Sequence, residues 1–240
     1  MIVPLDLAWE RENLMKTDLR SSLLLLLFAF TSAAALAAPT LTGKHLDTSR
    51  LSGKYIQKVD YPQINGLPDA SVEKHINAIL ANGSWPQEAL EASDIEDGEQ
   101  LNADVGYAVH LNQRELLSIE YSGLQVLTKG GKMETPHPTK LLKSYTIDLA
   151  TGHTYTLREL FKAGAPYEAT ISQCVKKAFG GYDPDESSAA NRSYYLTPKS
   201  LVLIFPDAPF AVQGAEVEIA LKKLASFASP DGPIARLLKP

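Results

Sequence analysis

The chain has 240 residues, with 23 Lys and Arg against 28 Asp and Glu, a net charge of −5, and 45% hydrophobic residues. That length suffices for one large domain or two small ones. Mild acidity without a basic stripe makes nucleic acid and anionic lipid surfaces poor partners.

Leu23 to Ala38 form an apolar run, LLLLLFAFTSAAALAA, that ends in the small-x-small pattern Ala35-Leu36-Ala37. It is shorter than the roughly 20 apolar residues a membrane span needs, and Lys16 and Arg20 supply a positive flank upstream. Residues 1–37 are therefore read as a secretory signal with its true start at Met15, cut before Ala38. The expected product is periplasmic or secreted, with no membrane span in its mature form. Cys174 is the only cysteine, so no intrachain disulfide can form. It lies at apolar spacing with Ile171, Val175, Ala178 and Phe179, which predicts a buried structural thiol.

Residues 38–52 are polar without a sustained period and read as a leader. Tyr55, Gln57, Val59 and Tyr61 alternate with Ile56, Lys58 and Asp60, which predicts a strand. Asp69 is placed as the N-cap of a helix that carries Val72, Ile76, Ile79 and Leu80 and closes at Asn82-Gly83. Residues 84–103 are acidic and predict a helix fragment and a surface loop. From Ala103 the pattern turns to strands. Val105 to Leu111 alternate, Asn112-Gln113 turn the chain, and Leu116 to Leu127 return. Lys143 to Leu149 and His153 to Leu157 flank a short connection at Ala150-Thr151-Gly152. Tyr167 to Phe179 predict a second amphipathic helix, stopped by Gly180-Gly181. Tyr194 to Leu196 and Leu201 to Phe205 make a hairpin around Thr197-Pro198-Lys199, Val217 to Leu221 a last strand, and 225–240 a weak tail. The pattern predicts an α+β fold of antiparallel sheets with two amphipathic helices.

The five histidines, His45, His75, His110, His137 and His153, are isolated in sequence. No metal-binding spacing, acyl-transfer elbow, phosphate loop or dinucleotide fingerprint accompanies them. No metal and no cofactor is expected. His110 is read as solvent-facing, and the prolines on either side of His137 fix its backbone in a loop.

Two segments carry a resemblance. Tyr61-Pro-Gln-Ile-Asn-Gly-Leu67, followed by Val72-Glu-Lys-His-Ile-Asn77, resembles the opening of the non-catalytic domain found before the deacetylase domain in PdaC-type peptidoglycan deacetylases. Further on lie His137-Pro138, Lys143 to Leu149, Thr151-Gly152, Leu157 to Phe161, Tyr195-Leu-Thr-Pro, Leu201 to Phe205 and Gly214 to Ile219. Their order is similar to the second domain of that architecture, which also forms the extracellular part of RsiV-type, lysozyme-sensing anti-sigma factors. The likeness covers roughly residues 53–224 and divides them into a PdaC-like part (53–102) and an RsiV-like part (103–224).

The resemblance implies a paired module outside the membrane with no chemistry of its own, and neither a deacetylase domain nor an anti-sigma segment is expected here. Where the sensor family carries an Asn-Pro-Tyr-like stretch, this chain reads Pro206-Asp-Ala-Pro-Phe-Ala-Val-Gln-Gly214, with Phe210 at the aromatic place. The implied ligand is a peptidoglycan fragment or a lysozyme-type muramidase. The candidate binding residues are His137, Pro138, Pro209 and Phe210, with Tyr194 or Tyr195 adding aromatic surface; no residue is assigned a catalytic role. A second reading stays open, a small envelope hydrolase that uses His137 with a loop carboxylate.

Overall fold

The computed structural model describes residues 39–83, 95–133, 139–180, 192–205 and 215–239. Strand β1 (Thr40–Arg50) pairs antiparallel with β2 (Tyr55–Asn65) along its whole length. Residues 38–52, expected to be a leader, thus contain an edge strand. Backbone pairing holds it rather than burial, since nearly all its side chains are exposed, and so it shows no apolar alternation. Cross-strand contacts such as His45 Nδ1 to Asp60 Oδ1 at 2.6 Å decorate its open face.

Helix α1 (Ala70–Gly83) starts as expected: Asp69 Oδ1 accepts from the amides of Ser71 (2.7 Å) and Val72 (3.3 Å). Ile76 and Leu80 are buried against the sheet. Asn77 does more than fill a helix position. Its side chain accepts from the Ile64 amide (2.8 Å) and donates to the Ile64 carbonyl (2.9 Å), docking the helix on the end of β2. At the far end, the Tyr121 hydroxyl donates to the Leu80 carbonyl at 2.8 Å, one of the carbonyls a helix terminus leaves without a partner. That bond is fully buried, so Tyr121→Phe is expected to cost about 1–2 kcal/mol in urea unfolding. An unchanged midpoint would mean that solvent reaches the carbonyl.

Strand β3 (Glu99–Gln113) lies parallel to β2 and forms a long antiparallel pair with β4 (Leu116–Lys129). Because β2 and β3 share a sheet, the 53–102 and 103–224 parts are joined by strand pairing. The turn falls at Arg114-Glu115, both with positive φ (54° and 58°), and not at Asn112-Gln113, which are still paired in the ladder. The ladder register shifts between Val109 and Leu111, so His110 is the extra residue of a β-bulge. That shift also moves the strand from one core to the other. Ala103 and Val105 belong with Ile76, Ile119 and Tyr121 under α1, whereas Leu111 belongs with Leu116 in the C-terminal core.

Strand β5 (Lys132–Met133) and β6 (Thr139–Asp148) both pair with β4 and complete a six-stranded sheet. Gly152, in the connection that follows, has φ 77°. A side chain there would also meet His75 Cδ2 at 2.7 Å. Helix α2 (Tyr167–Ala178) packs with a three-stranded antiparallel sheet of β7 (Tyr194–Leu196), β8 (Ser200–Phe205) and β9 (Ala215–Ala220). The second core lies between them, with Cys174 half-buried at its margin. The two sheets are tied by a buried polar bridge: Ser118 Oγ lies 2.9 Å from Thr146 Oγ1 and accepts from the Leu196 amide at 2.9 Å.

The end of the chain departs from expectation. Residues 225–239, read as a weak tail, include α4 (Pro233–Leu238), which follows a single helical turn, α3 (Leu221–Leu224). Leu221, Leu224, Ile234 and Leu237 are all in the C-terminal core. A six-residue helix is too short to show a period, but Pro233 at its first turn supplies the φ that starts it. The fold is α+β with mostly antiparallel sheets.

Candidate functional site

A pocket of about 330 Å³ opens where the six-stranded sheet meets β8 and β9. Strand β4 contributes Glu120, Ser122 and Leu124, β6 contributes Lys140 and Leu142, and Ile204 and Glu216 face them from the second sheet. Alternation explains most of the set, because even-numbered positions of β4 and β6 point away from the helix α1 core; Gly123 and Leu141, of the opposite phase, complete the lining. The register places Glu120 opposite Ser144, Ser122 opposite Leu142 and Leu124 opposite Lys140. One wall is therefore apolar, a carboxylate pair closes one end, and an ammonium stands at the other.

The carboxylate end is built in layers. The bulge turns the His110 ring so that it stacks on Tyr195, with centroids 3.6 Å apart and planes 10° from parallel. His110 Nε2 lies 3.1 Å from Glu120 Oε2, and the Tyr195 hydroxyl donates to Glu216 Oε2 at 2.9 Å. Glu120 is only 9% exposed. Burial pushes its carboxyl above the usual carboxylate range; the hydrogen bond from His110 opposes this, and the charge of Glu216 adds to it. Burial, and then the bond to Glu216, likewise push the Tyr195 phenol upward. A buried acid with a raised pKa beside a second carboxylate, in a cleft, is an arrangement found at functional sites.

A larger cavity, about 480 Å³, lies at the opposite end of the sheet between Pro39, Leu67, Pro68, Asn112, Arg114 and Leu149. Two of its charged groups already hold the fold together. Asp69 caps α1, and Arg114 Nη1 donates to the Arg236 carbonyl at 3.2 Å. Among the described residues, no group of three or more His, Cys, Asp or Glu is placed to hold a metal ion. No helix among them is long and apolar enough to cross a membrane.

No family model matches the sequence, and no curated protein matches it. Solved structures do match. A DUF3298 family member from Bacteroides fragilis aligns with a TM-score of 0.58 at 11% identity, over 85% of this chain and 98% of that one. A DUF3298 family protein from Pseudomonas aeruginosa aligns with a TM-score of 0.53 at 15% identity, over 84% and 98%. The chain shares the DUF3298 fold. At such identities the likeness carries the architecture and no function, and the family name itself denotes a domain of unknown function.

Within the DUF3298 fold the expected site residues divide into two groups. His137, Pro138, Pro209 and Phe210 lie outside the described residues. Tyr194 is 5% exposed in the C-terminal core, and its hydroxyl donates to the Tyr155 carbonyl at 2.7 Å. Tyr195 is 6% exposed. Neither tyrosine offers aromatic surface, because β7 is covered on both faces, by the core on one and by His110 on the other. His110, expected to face solvent, is three-quarters buried in its side chain. The residues missed in the sequence are Glu120, Lys140 and Glu216, together with the bulged His110. The one local signal was Glu120 itself, a lone charge inside the apolar run Leu116-Leu-Ser-Ile-Glu-Tyr121.

Proposed function

We propose that this chain is a non-enzymatic binding module of the cell envelope, periplasmic or secreted, whose ligand is a peptidoglycan-related glycan or a lysozyme-type muramidase. The observation that supports it is a convergence at one pocket. Lys140 follows Pro138 by two residues, and Ile204 and Glu216 stand on either side of the segment that holds Pro209 and Phe210; all three line the same cleft. Connections between the strands of a rigid scaffold are where binding residues concentrate. The carboxylate pair favours a cationic or hydroxyl-rich partner surface.

The test is calorimetry of the purified protein with lysozyme and, separately, with soluble peptidoglycan fragments. Binding energy is expected to concentrate in an aromatic anchor, so Phe210→Ala should weaken binding by roughly 1–3 kcal/mol without lowering the melting temperature. His137→Ala should have a smaller effect, since its expected role is to shape the segment between its flanking prolines. Heat absent with both ligands would remove the reading. Turnover of the fragments that His137→Ala abolishes would replace it with the hydrolase.

A further inference from the structure

We propose that the Glu120–Glu216 pocket recognises an aliphatic ammonium group on a small molecule that also bears a carboxylate, the chemistry of a free diamino acid. The proposal deepens the reading above and rests on it only for the source of the ligand, since peptidoglycan peptides carry diamino acids. The assignment of the pocket itself stands on geometry.

Glu120 is nine-tenths buried, yet only one of its oxygens is used: Oε2 meets His110, and Oε1 has no donor among the described residues. Glu216 repeats the pattern, with Oε2 taken by the Tyr195 hydroxyl and Oε1 without a donor among the described residues. Both side chains line the cavity. Two carboxylates, each fixed through one oxygen and presenting the other, form a cradle for an N–H-rich cation. A compact ammonium has three donors to share between them. Fixing those carboxylates took a β-bulge, a stacked His–Tyr pair and a buried hydroxyl. Glu120 is the buried member of the pair and Glu216 the exposed one, held in place by the Tyr195 hydroxyl.

The remaining lining sets the body and the far end of the ligand. Leu124 (46% exposed), Leu142 and Ile204 give an apolar wall suited to a methylene chain. Lys140 pairs with Leu124, four positions along β6 from the residue opposite Glu120. That is roughly 13 Å of strand, which the long side chains at either end shorten by several ångströms. Lys140 lines the pocket at the end away from Glu120, where its ammonium would meet a ligand carboxylate. An ammonium at one end and a carboxylate at the other, joined by methylenes, match this distribution of charge and apolar surface. A simple sugar offers neither charge.

The experiment titrates the purified protein with L-lysine at constant ionic strength and follows the methyl resonances of Leu142 and Ile204. Norleucine, which lacks the side-chain ammonium, and pentylamine, which lacks the carboxylate, serve as probes. Saturable shifts with L-lysine are expected in the range of about 1 mM. Binding of norleucine should be weaker by about tenfold or more. Glu216→Gln keeps an acceptor for Tyr195, so its fold should be unchanged, and it should weaken L-lysine by about fivefold or more. Lys140→Met should bring L-lysine down to the affinity of pentylamine. Equal binding of norleucine and L-lysine, no shift at these methyls, or indifference to Glu216→Gln would each overturn the assignment. If peptidoglycan fragments or lysozyme bind and Glu216→Gln does not weaken them, the pocket assignment falls and the envelope reading stands. If L-lysine binds as described while both of those fail, the reverse holds.

Discussion

Gly123→Ala is expected to destabilise the protein by at least about 3 kcal/mol, and Gly106→Ala to leave it nearly unchanged. The two glycines sit on neighbouring strands of the same sheet, Gly123 opposite Val105 and Gly106 opposite Ser122. A Cβ on Gly123 would stand 2.0 Å from the Asp104 carbonyl oxygen and 2.8 Å from the Val105 Cα. These are backbone atoms of the paired strand and have no rotamer to escape into, so the β3–β4 ladder itself must open. A Cβ on Gly106 meets nothing within 4 Å. Urea unfolding of the two variants separates close backbone approach from a general dislike of substitution in the sheet. Equal midpoints for the pair would mean that β3 and β4 do not approach as closely as described. Because Gly123 also lines the pocket, partial opening of the ladder should abolish ligand-induced shifts even at temperatures where the variant remains folded.

The sequence made the α+β class legible wherever burial followed a period. Helix α1 was readable from Asp69 and its apolar stripe, α2 from Tyr167 onward, and β7–β8 from the residues around Pro198. Elements held by other forces were hidden. Strand β1 is held by backbone pairing with exposed side chains, and α4 by a few large contacts over too few residues for a period to show. The site was harder still, because it depends on register. Glu120, Lys140 and Glu216 lie on three strands separated by long stretches of sequence, and only the antiparallel pairing of β4 with β6 and the docking of the second sheet bring them together. The bulge at His110 is a change of phase by one residue in an otherwise regular strand. Alternation read across it puts His110 toward solvent, whereas the shifted register turns it onto Tyr195 and Glu120. The resemblance fared differently from the periodicities: Asn77, part of its helix motif, proves to be the residue that clamps α1 to β2.

Arg236→Ala should destabilise the protein by about 2–4 kcal/mol and move its acid unfolding to higher pH. Arg236 lies on α4, and its guanidinium pairs with Asp148, which is 2% exposed at the end of β6. Asp148 also accepts from the Tyr155 hydroxyl (3.0 Å) and from the amides of Ala150 (2.9 Å) and Thr151 (3.1 Å). Burial alone would raise this carboxyl, but Arg236 and the other donors outweigh it and hold the group below the usual carboxylate range. A carboxyl with a lowered folded-state pKa contributes stability that is fully present above its unfolded value, about 3.9, and is lost as pH falls through the folded value. Removing Arg236 strips the cation from a buried charge, and the remaining hydrogen bonds keep the cost toward the lower end for a broken buried pair. With its pKa less depressed, Asp148 then protonates earlier on acidification. Arg236→Lys restores the charge without the planar fork and should recover only part of the loss. Ile234→Ala, on the same helix but remote from the ion pair, should cost about 2–4 kcal/mol from the cavity it leaves while keeping the acid midpoint's dependence on Asp148. If Arg236→Ala stays within about 0.5 kcal/mol of the parent at neutral pH, then the other contacts of α4 hold it and the Asp148–Arg236 pair is incidental to the fold.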